Sequence, residues 1–291
     1  ESMSLLTGTA SPARTTFLLG IATIVAQSIL LREAMAALGG SETAWGLVMA
    51  LWLTGMGVGA RLGVGYGTRG LTTILPVVVI VCAGIGVVLF RAAPAVIGAA
   101  PGETPTTWIA VWLWAAAVIP AALAGGLAFP VLADSLGPQG PGRAYALEAC
   151  GALGGGVVLT FALMRLGTAG ATLVVVGLVT GAVLWPRRRV LALAIAVGFA
   201  LLAGPAGDHL ARATWAWSQH PGTLGAWSET SHQRLEVSNG PPFNLYADGR
   251  LRATDPDPYL TVPKAHLMML LHPAPRRVLA VGGIADGSAQ A

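Results

Sequence analysis

The sequence predicts a membrane α-helical bundle, followed by a small antiparallel β-sheet and the opening of a doubly wound α/β domain. Three observations point there. Charged residues are 10% of the 291 against 54% hydrophobic, far below the roughly 25% charged residues of a soluble domain. Almost all of the apolar excess precedes Gly207, after which Asp, Arg, Pro and His occur at ordinary soluble density. Beyond that point the pattern changes from long apolar runs to short alternating segments separated by turn residues. The expected division is therefore a transmembrane domain over 1–206 and a partial soluble domain over 207–291.

A spanning helix needs roughly 20 apolar residues to cross about 30 Å of hydrocarbon. Seven stretches meet that need: 15–38, 43–67, 71–90, 107–132, 144–163, 168–185 and 190–206. The first is too long for a secretory leader and further runs follow it. The second carries Gly55, Gly57, Gly59, Gly63 and Gly67, and the fifth Gly151, Gly154, Gly155 and Gly156. Small residues at such spacing let helix backbones approach closely, which supplies packing energy in lipid. In the fourth, Pro120 and Pro130 bracket Gly125 and Gly126, where a helix can kink or unwind. Trp108, Trp112 and Trp114 open that run and suit a headgroup-level anchor.

Basic residues flanking spans favour the cytoplasm. One set of alternate ends carries Arg14, Arg61, Arg69, Arg143 and Arg187 to Arg189; the other carries Arg32, Arg91 and Arg165. An odd number of spans then puts the tail outside, and an interfacial seventh segment puts it inside, so the side of the tail is undecided at this level. The net charge of +4 is no nucleic-acid signal. Cys82 and Cys150 fall inside predicted spans without metal or disulfide spacing, so both are expected to be buried apolar cysteines and no metal site is expected. Charges at membrane depth are costly and mark polar sites when paired. Gln27, Arg32, Glu33, Glu42 and Glu148 form the candidate intramembrane polar set, with an interfacial structural role as the alternative.

In the tail, Gln233 to Ser238 alternates like a half-exposed strand. Asn239-Gly240-Pro241-Pro242 is a turn. Phe243 to Ala247 is a second strand, and Asp248-Gly249 is a hairpin turn into a third at Leu251. A helix fits 263–271, with Pro263 in its first turn. The apolar run Val278-Leu-Ala-Val281 then leads into Gly282-Gly283-Ile284-Ala285-Asp286-Gly287. A strand ending in a glycine turn is how Rossmann-like domains bring backbone amides to a nucleotide.

These residues resemble the membrane-fused form of the spermidine synthase (aminopropyltransferase) family of bacteria. In the tail the likeness rests on Glu229-Thr-Ser-His-Gln233-Arg-Leu-Glu-Val, Leu245-Tyr-Ala-Asp248-Gly249, and the stretch from His266 through Arg276-Arg277 to Gly283. In the membrane part it rests on Gln27-Ser-Ile-Leu-Leu-Arg32-Glu33, Gly40-Ser-Glu42, Leu51-Trp52-Leu53 and Gly142-Arg-Ala-Tyr145-Ala-Leu-Glu148. The resemblance implies transfer of an aminopropyl group from decarboxylated S-adenosylmethionine to putrescine, in a multi-pass protein of the bacterial inner membrane. It implies that Gln233 contacts the nucleotide substrate, with His266, Gly282, Gly283 and Asp286 at the same site. No permanently bound cofactor and no nucleic-acid partner are expected; the bilayer is the expected partner, and a homo-oligomer is compatible with it.

Departures from the family pattern are specific. Leu260-Thr261-Val262 replaces its Tyr-His-Glu stretch, Arg252 its glutamine after the hairpin, and Ile284 and Ala285 a glycine and an acid. The remaining Rossmann-like strands and the family's catalytic aspartates are expected beyond Ala291, so no catalytic residue is assigned here. Two other readings stay open: a membrane scaffold or small-molecule handling protein with a non-catalytic module, and an S-adenosylmethionine-dependent methyltransferase, since fold does not fix function.

Overall fold

The computed structural model describes residues 11–37, 42–65, 73–98, 107–186, 188–218, 220–230, 232–257, 259, 261–271, 273 and 276–277. Six long helices come first: α1 (Pro12–Ala37), α2 (Glu42–Gly63), α3 (Leu75–Ile97), α4 (Thr107–Ser135), α5 (Gly140–Leu184) and α6 (Arg189–Trp217). Four strands follow, β1 (Leu224–Glu229), β2 (Arg234–Ser238), β3 (Phe243–Ala247) and β4 (Arg250–Asp255), and then the short α7 (Thr261–Leu270). Because α5 breaks at Gly167, where φ is +66°, the six helices provide seven stretches long and apolar enough to cross a membrane.

Helix α1 is the centre of the bundle. Its residues Leu19, Ala22, Val25, Ala26, Ile29 and Leu30 are fully buried, and α5, α3, α4 and α2 all pack on it. Glycines set two of the closest approaches. A Cβ on Gly20 of α1 would strike the Glu148 carbonyl of α5, and one on Gly151 of α5 would strike the Phe17 carbonyl of α1. Gly59 and Gly126 do the same for α2 and α4. Of the glycines expected on close-packed faces, Gly55, Gly59, Gly63, Gly151 and Gly155 closely meet a neighbouring helix, Gly154 is in ordinary contact, Gly57 and Gly156 face open space, and Gly67 lies outside the described residues.

Three expectations need correction, and one open alternative is resolved. The compositional change at Gly207 is not a change of element: α6 runs on to Trp217, because Ala206, Ala211, Ala213 and Ala216 keep helix propensity high while Asp208, His209 and Arg212 give that extension a polar surface. The prolines and glycines of α4 do not unwind it, for it is continuous through Pro120 and Pro130; the break lies in α5 instead. Trp114 is buried in the bundle core while Trp108 and Trp112 are exposed, so only the latter two suit an interfacial anchor. Cys150 is exposed on α5 rather than buried.

The sheet is antiparallel in the order β1-β2-β3-β4. Asp248 and Gly249 have φ of +51° and +73°, the left-handed pair that a two-residue hairpin requires. The Asp248 carboxylate also accepts a hydrogen bond from the Arg234 amide at 2.9 Å. Trp215, near the end of α6, meets Tyr246 of β3 edge-on at 5.4 Å, and Trp227 of β1 donates to Asp208 of α6 at 2.8 Å. Both contacts seat the sheet on the last turns of α6. The strand expected at 278–281 and its glycine turn lie outside the described residues.

Candidate functional site

Where the sheet meets the bundle, a chain of buried charges joins four elements. Arg91, near the end of α3, grips Glu33 of α1 with two hydrogen bonds, Nε to Oε2 at 2.9 Å and Nη2 to Oε1 at 2.7 Å. The same Nη2 donates to Glu229 Oε1 of β1 at 2.6 Å. The other Glu229 oxygen accepts from the Thr168 amide at 2.5 Å. That amide is free to donate because Gly167 has broken α5 one residue earlier, so the second half of α5 starts with unpaired N–H groups. The chain continues to Arg234 of β2, whose Nη1 lies 3.9 Å from Glu33 and whose Nε lies 3.3 Å from Glu236.

Burial alone would push the Glu229 carboxyl up; the Arg91 guanidinium and the Thr168 amide outweigh it and hold it down at about 2. It is therefore ionised across ordinary pH, and the stability it contributes is lost only as pH falls below the usual carboxylate range. Burial pushes the Glu236 carboxyl up, against the pull of Arg234 and Arg91. His220, packed between Trp215 and Tyr246, is pushed down to about 4 by burial and by Arg234.

Beside this chain lies a cavity of about 480 Å³. Its bundle wall is Ser28, Leu31, Arg32, Glu33, Met35 and Ala36 of α1, with Trp45 of α2 and Arg91 of α3. Its sheet wall is Glu229, His232, Gln233, Arg234 and Asp248. Arg32 Nη2 closes one edge by donating to the Thr230 carbonyl at 2.5 Å. Thr230 in turn ties the β1–β2 turn, its hydroxyl donating to the Gln233 carbonyl at 2.9 Å and accepting from the Gln233 amide at 3.0 Å. Both walls carry charge: the bundle wall sets Arg32, Glu33 and Arg91 among Leu31, Met35, Ala36 and Trp45, and the sheet wall carries amide, imidazole, carboxylate and guanidinium groups.

Of the residues singled out from sequence, Arg32, Glu33 and Gln233 meet at this cavity. Gln27 sits elsewhere on α1, its amide 3.4 Å from the Met49 sulfur. Glu42 is exposed on the first turn of α2 and Glu148 half-buried on α5, and neither lines the cavity. His266 is exposed on α7 and does not line it either. Gly282, Gly283 and Asp286 lie outside the described residues. Among the described residues, no cluster of His, Cys, Asp and Glu has metal-binding geometry. Sequence reasoning missed Arg91, which it used only to count charges for orientation. A lone arginine closing the apolar run from Leu75 was signal enough, since an ionisable group at that depth needs a partner.

Comparison with protein-family models, curated proteins and solved structures finds no match to this chain.

Proposed function

We propose that this protein is a membrane-anchored, spermidine synthase-like protein that takes a small polar ligand, of the adenosine or alkylamine type, into the cavity between bundle and sheet. The observation that carries the reading is the position of Gln233, the residue the resemblance gives to the nucleotide substrate, in that cavity's wall. It immediately precedes β2 of an antiparallel sheet of the kind the resemblance leads one to expect, ahead of an expected Rossmann-like strand. In the reaction the resemblance implies, the acceptor amine must lose a proton as it attacks the carbon beside the sulfonium. A carboxylate within reach would accept that proton, and the neutral thioether then leaves. The location that follows is the bacterial inner membrane.

A second reading, small-molecule handling without chemistry, is favoured by one specific observation. The carboxylates at the cavity already have partners: Glu33 and Glu229 hold Arg91, and Asp248 holds the Arg234 amide. One experiment separates the two. Protein purified in detergent is incubated with decarboxylated S-adenosylmethionine and putrescine, and methylthioadenosine is measured. Release that falls at least tenfold in Gln233→Ala supports aminopropyl transfer. Binding of methylthioadenosine with no turnover moves the assignment to the second reading, and neither binding nor turnover rejects both.

A further inference from the structure

From bundle to sheet, five ionisable side chains alternate in sign: Glu229, Arg91, Glu33, Arg234 and Glu236. All are withdrawn from solvent, the most exposed being Arg234 at 11% and the least Glu236 at 1%. Within these five, three carboxylates stand against two guanidinium groups, one negative charge in excess; of the other described charges at the cavity, Arg32 donates to the Thr230 carbonyl and Asp248 accepts from the Arg234 amide. An uncompensated buried carboxylate is strongly disfavoured, and such a group sheds the penalty by taking up a proton.

The geometry selects which carboxylate takes it. Glu33 accepts two hydrogen bonds from Arg91, and Glu229 accepts one from Arg91 and one from Thr168. Glu236 Oε1 lies 3.3 Å from Arg234 Nε as an ion pair, but the two are not aligned as a hydrogen bond and that oxygen accepts none. The groups around it come from every packed element: Arg234 on β2 itself, Tyr246 opposite on β3, Glu229 on β1, Arg91 on α3, and Glu33 on α1 through Arg234. Next to Tyr246 is His220, its ring 4.0 Å away and neither ring nitrogen hydrogen-bonded. Its imidazole is neutral at ordinary pH, so it supplies no further cation.

We propose that Glu236 is a proton-binding site: its carboxyl is protonated in the resting protein at neutral pH, and that proton makes the five-membered chain electrically neutral. The inference does not depend on aminopropyl transfer. It gives the seam between bundle and sheet a sign-defined response to pH. A carboxyl whose value is raised by folding contributes stability below the ordinary carboxylate range and loses it as pH rises through the raised value. Alkaline conditions would therefore leave an excess negative charge in the seam and loosen the sheet.

The test is infrared spectroscopy of the whole protein in detergent micelles, together with its melting temperature across pH. At about pH 7 a protonated-carboxyl carbonyl band is expected, lost in Glu236→Gln and retained in Glu148→Gln. The Glu236→Gln protein should melt no lower than the parent at neutral pH, and the gap should widen in its favour as pH rises. A band unchanged by Glu236→Gln, or a variant that melts lower throughout, overturns the proposal. Should that variant fail to fold, Glu148→Gln protein decides alone: a band that bleaches with rising pH as the melting temperature falls supports the site, and absence of the band overturns it.

Discussion

Arg91 shows how much one side chain can hold. Its guanidinium makes three hydrogen bonds to two carboxylates on different elements, a task suited to the planar fork of arginine. Removing one partner of a buried ion pair costs about 3–5 kcal/mol, because the remaining charge is stranded. Arg91→Ala strands Glu33 and Glu229 together, so its denaturation midpoint in detergent should fall by at least that equivalent. Arg91→Lys keeps the charge but cannot grip both Glu33 oxygens, and should lie between the two. A surface control such as Arg143→Ala should leave the midpoint unchanged, since exposed charges contribute roughly 0–1 kcal/mol.

At the scale of elements, the break in α5 does for the site what a loop does elsewhere: it exposes an amide at a defined place. Gly167 has φ of +66°, and a Cβ there would sit 2.9 Å from the Glu229 carboxylate. Gly167→Ala should therefore destabilise by about 1–3 kcal/mol from backbone strain and also disturb the Glu229 contact. Thermal melts of Gly167→Ala beside Gly57→Ala, where a Cβ meets open space, would show the contrast. This element was not legible in sequence, because Leu166-Gly167-Thr168 reads as another small-residue step between two apolar runs. Strands β2, β3 and β4 were legible, since alternation and the Asp248-Gly249 pair are local signals. Strand β1 was not: Leu224-Gly-Ala-Trp-Ser-Glu has no alternation, and its extension comes from pairing with β2. Likewise Arg32, Glu33 and Gln233 could be picked out, but their convergence with Arg91, Trp45 and Asp248 is tertiary and leaves no spacing to read.

For the whole molecule, the sheet defines one end of the bundle. It sits with Arg32, Arg91 and the Thr168 break, whereas Arg14 at the opposite end donates to the Ala182 carbonyl. Among the described residues, Arg61, Arg143, Arg188 and Arg189 lie at the Arg14 end, and Arg32, Arg91, Arg165 and Arg212 at the sheet end, where Arg91 is consumed by buried pairs. On the basic-residue rule the expected outcome is a sheet on the side away from the cytoplasm. Protease added to sealed, oriented vesicles should cleave the tail of right-side-out preparations and spare it in inverted ones. The opposite pattern would put the sheet in the cytoplasm, the compartment where a nucleotide-derived donor is made, so this measurement also bears on which ligands can reach Gln233.

The uninterrupted length of α6 has a geometric consequence. At about 1.5 Å per residue, its 29 residues measure about 43 Å against about 30 Å of hydrocarbon. The surplus turns stand clear of the lipid tails like a pedestal, with Trp215 and Asp208 clamping the sheet to its top. The sheet seated on these last turns is thereby held at the end of the bundle where Arg91 and Thr168 meet Glu229.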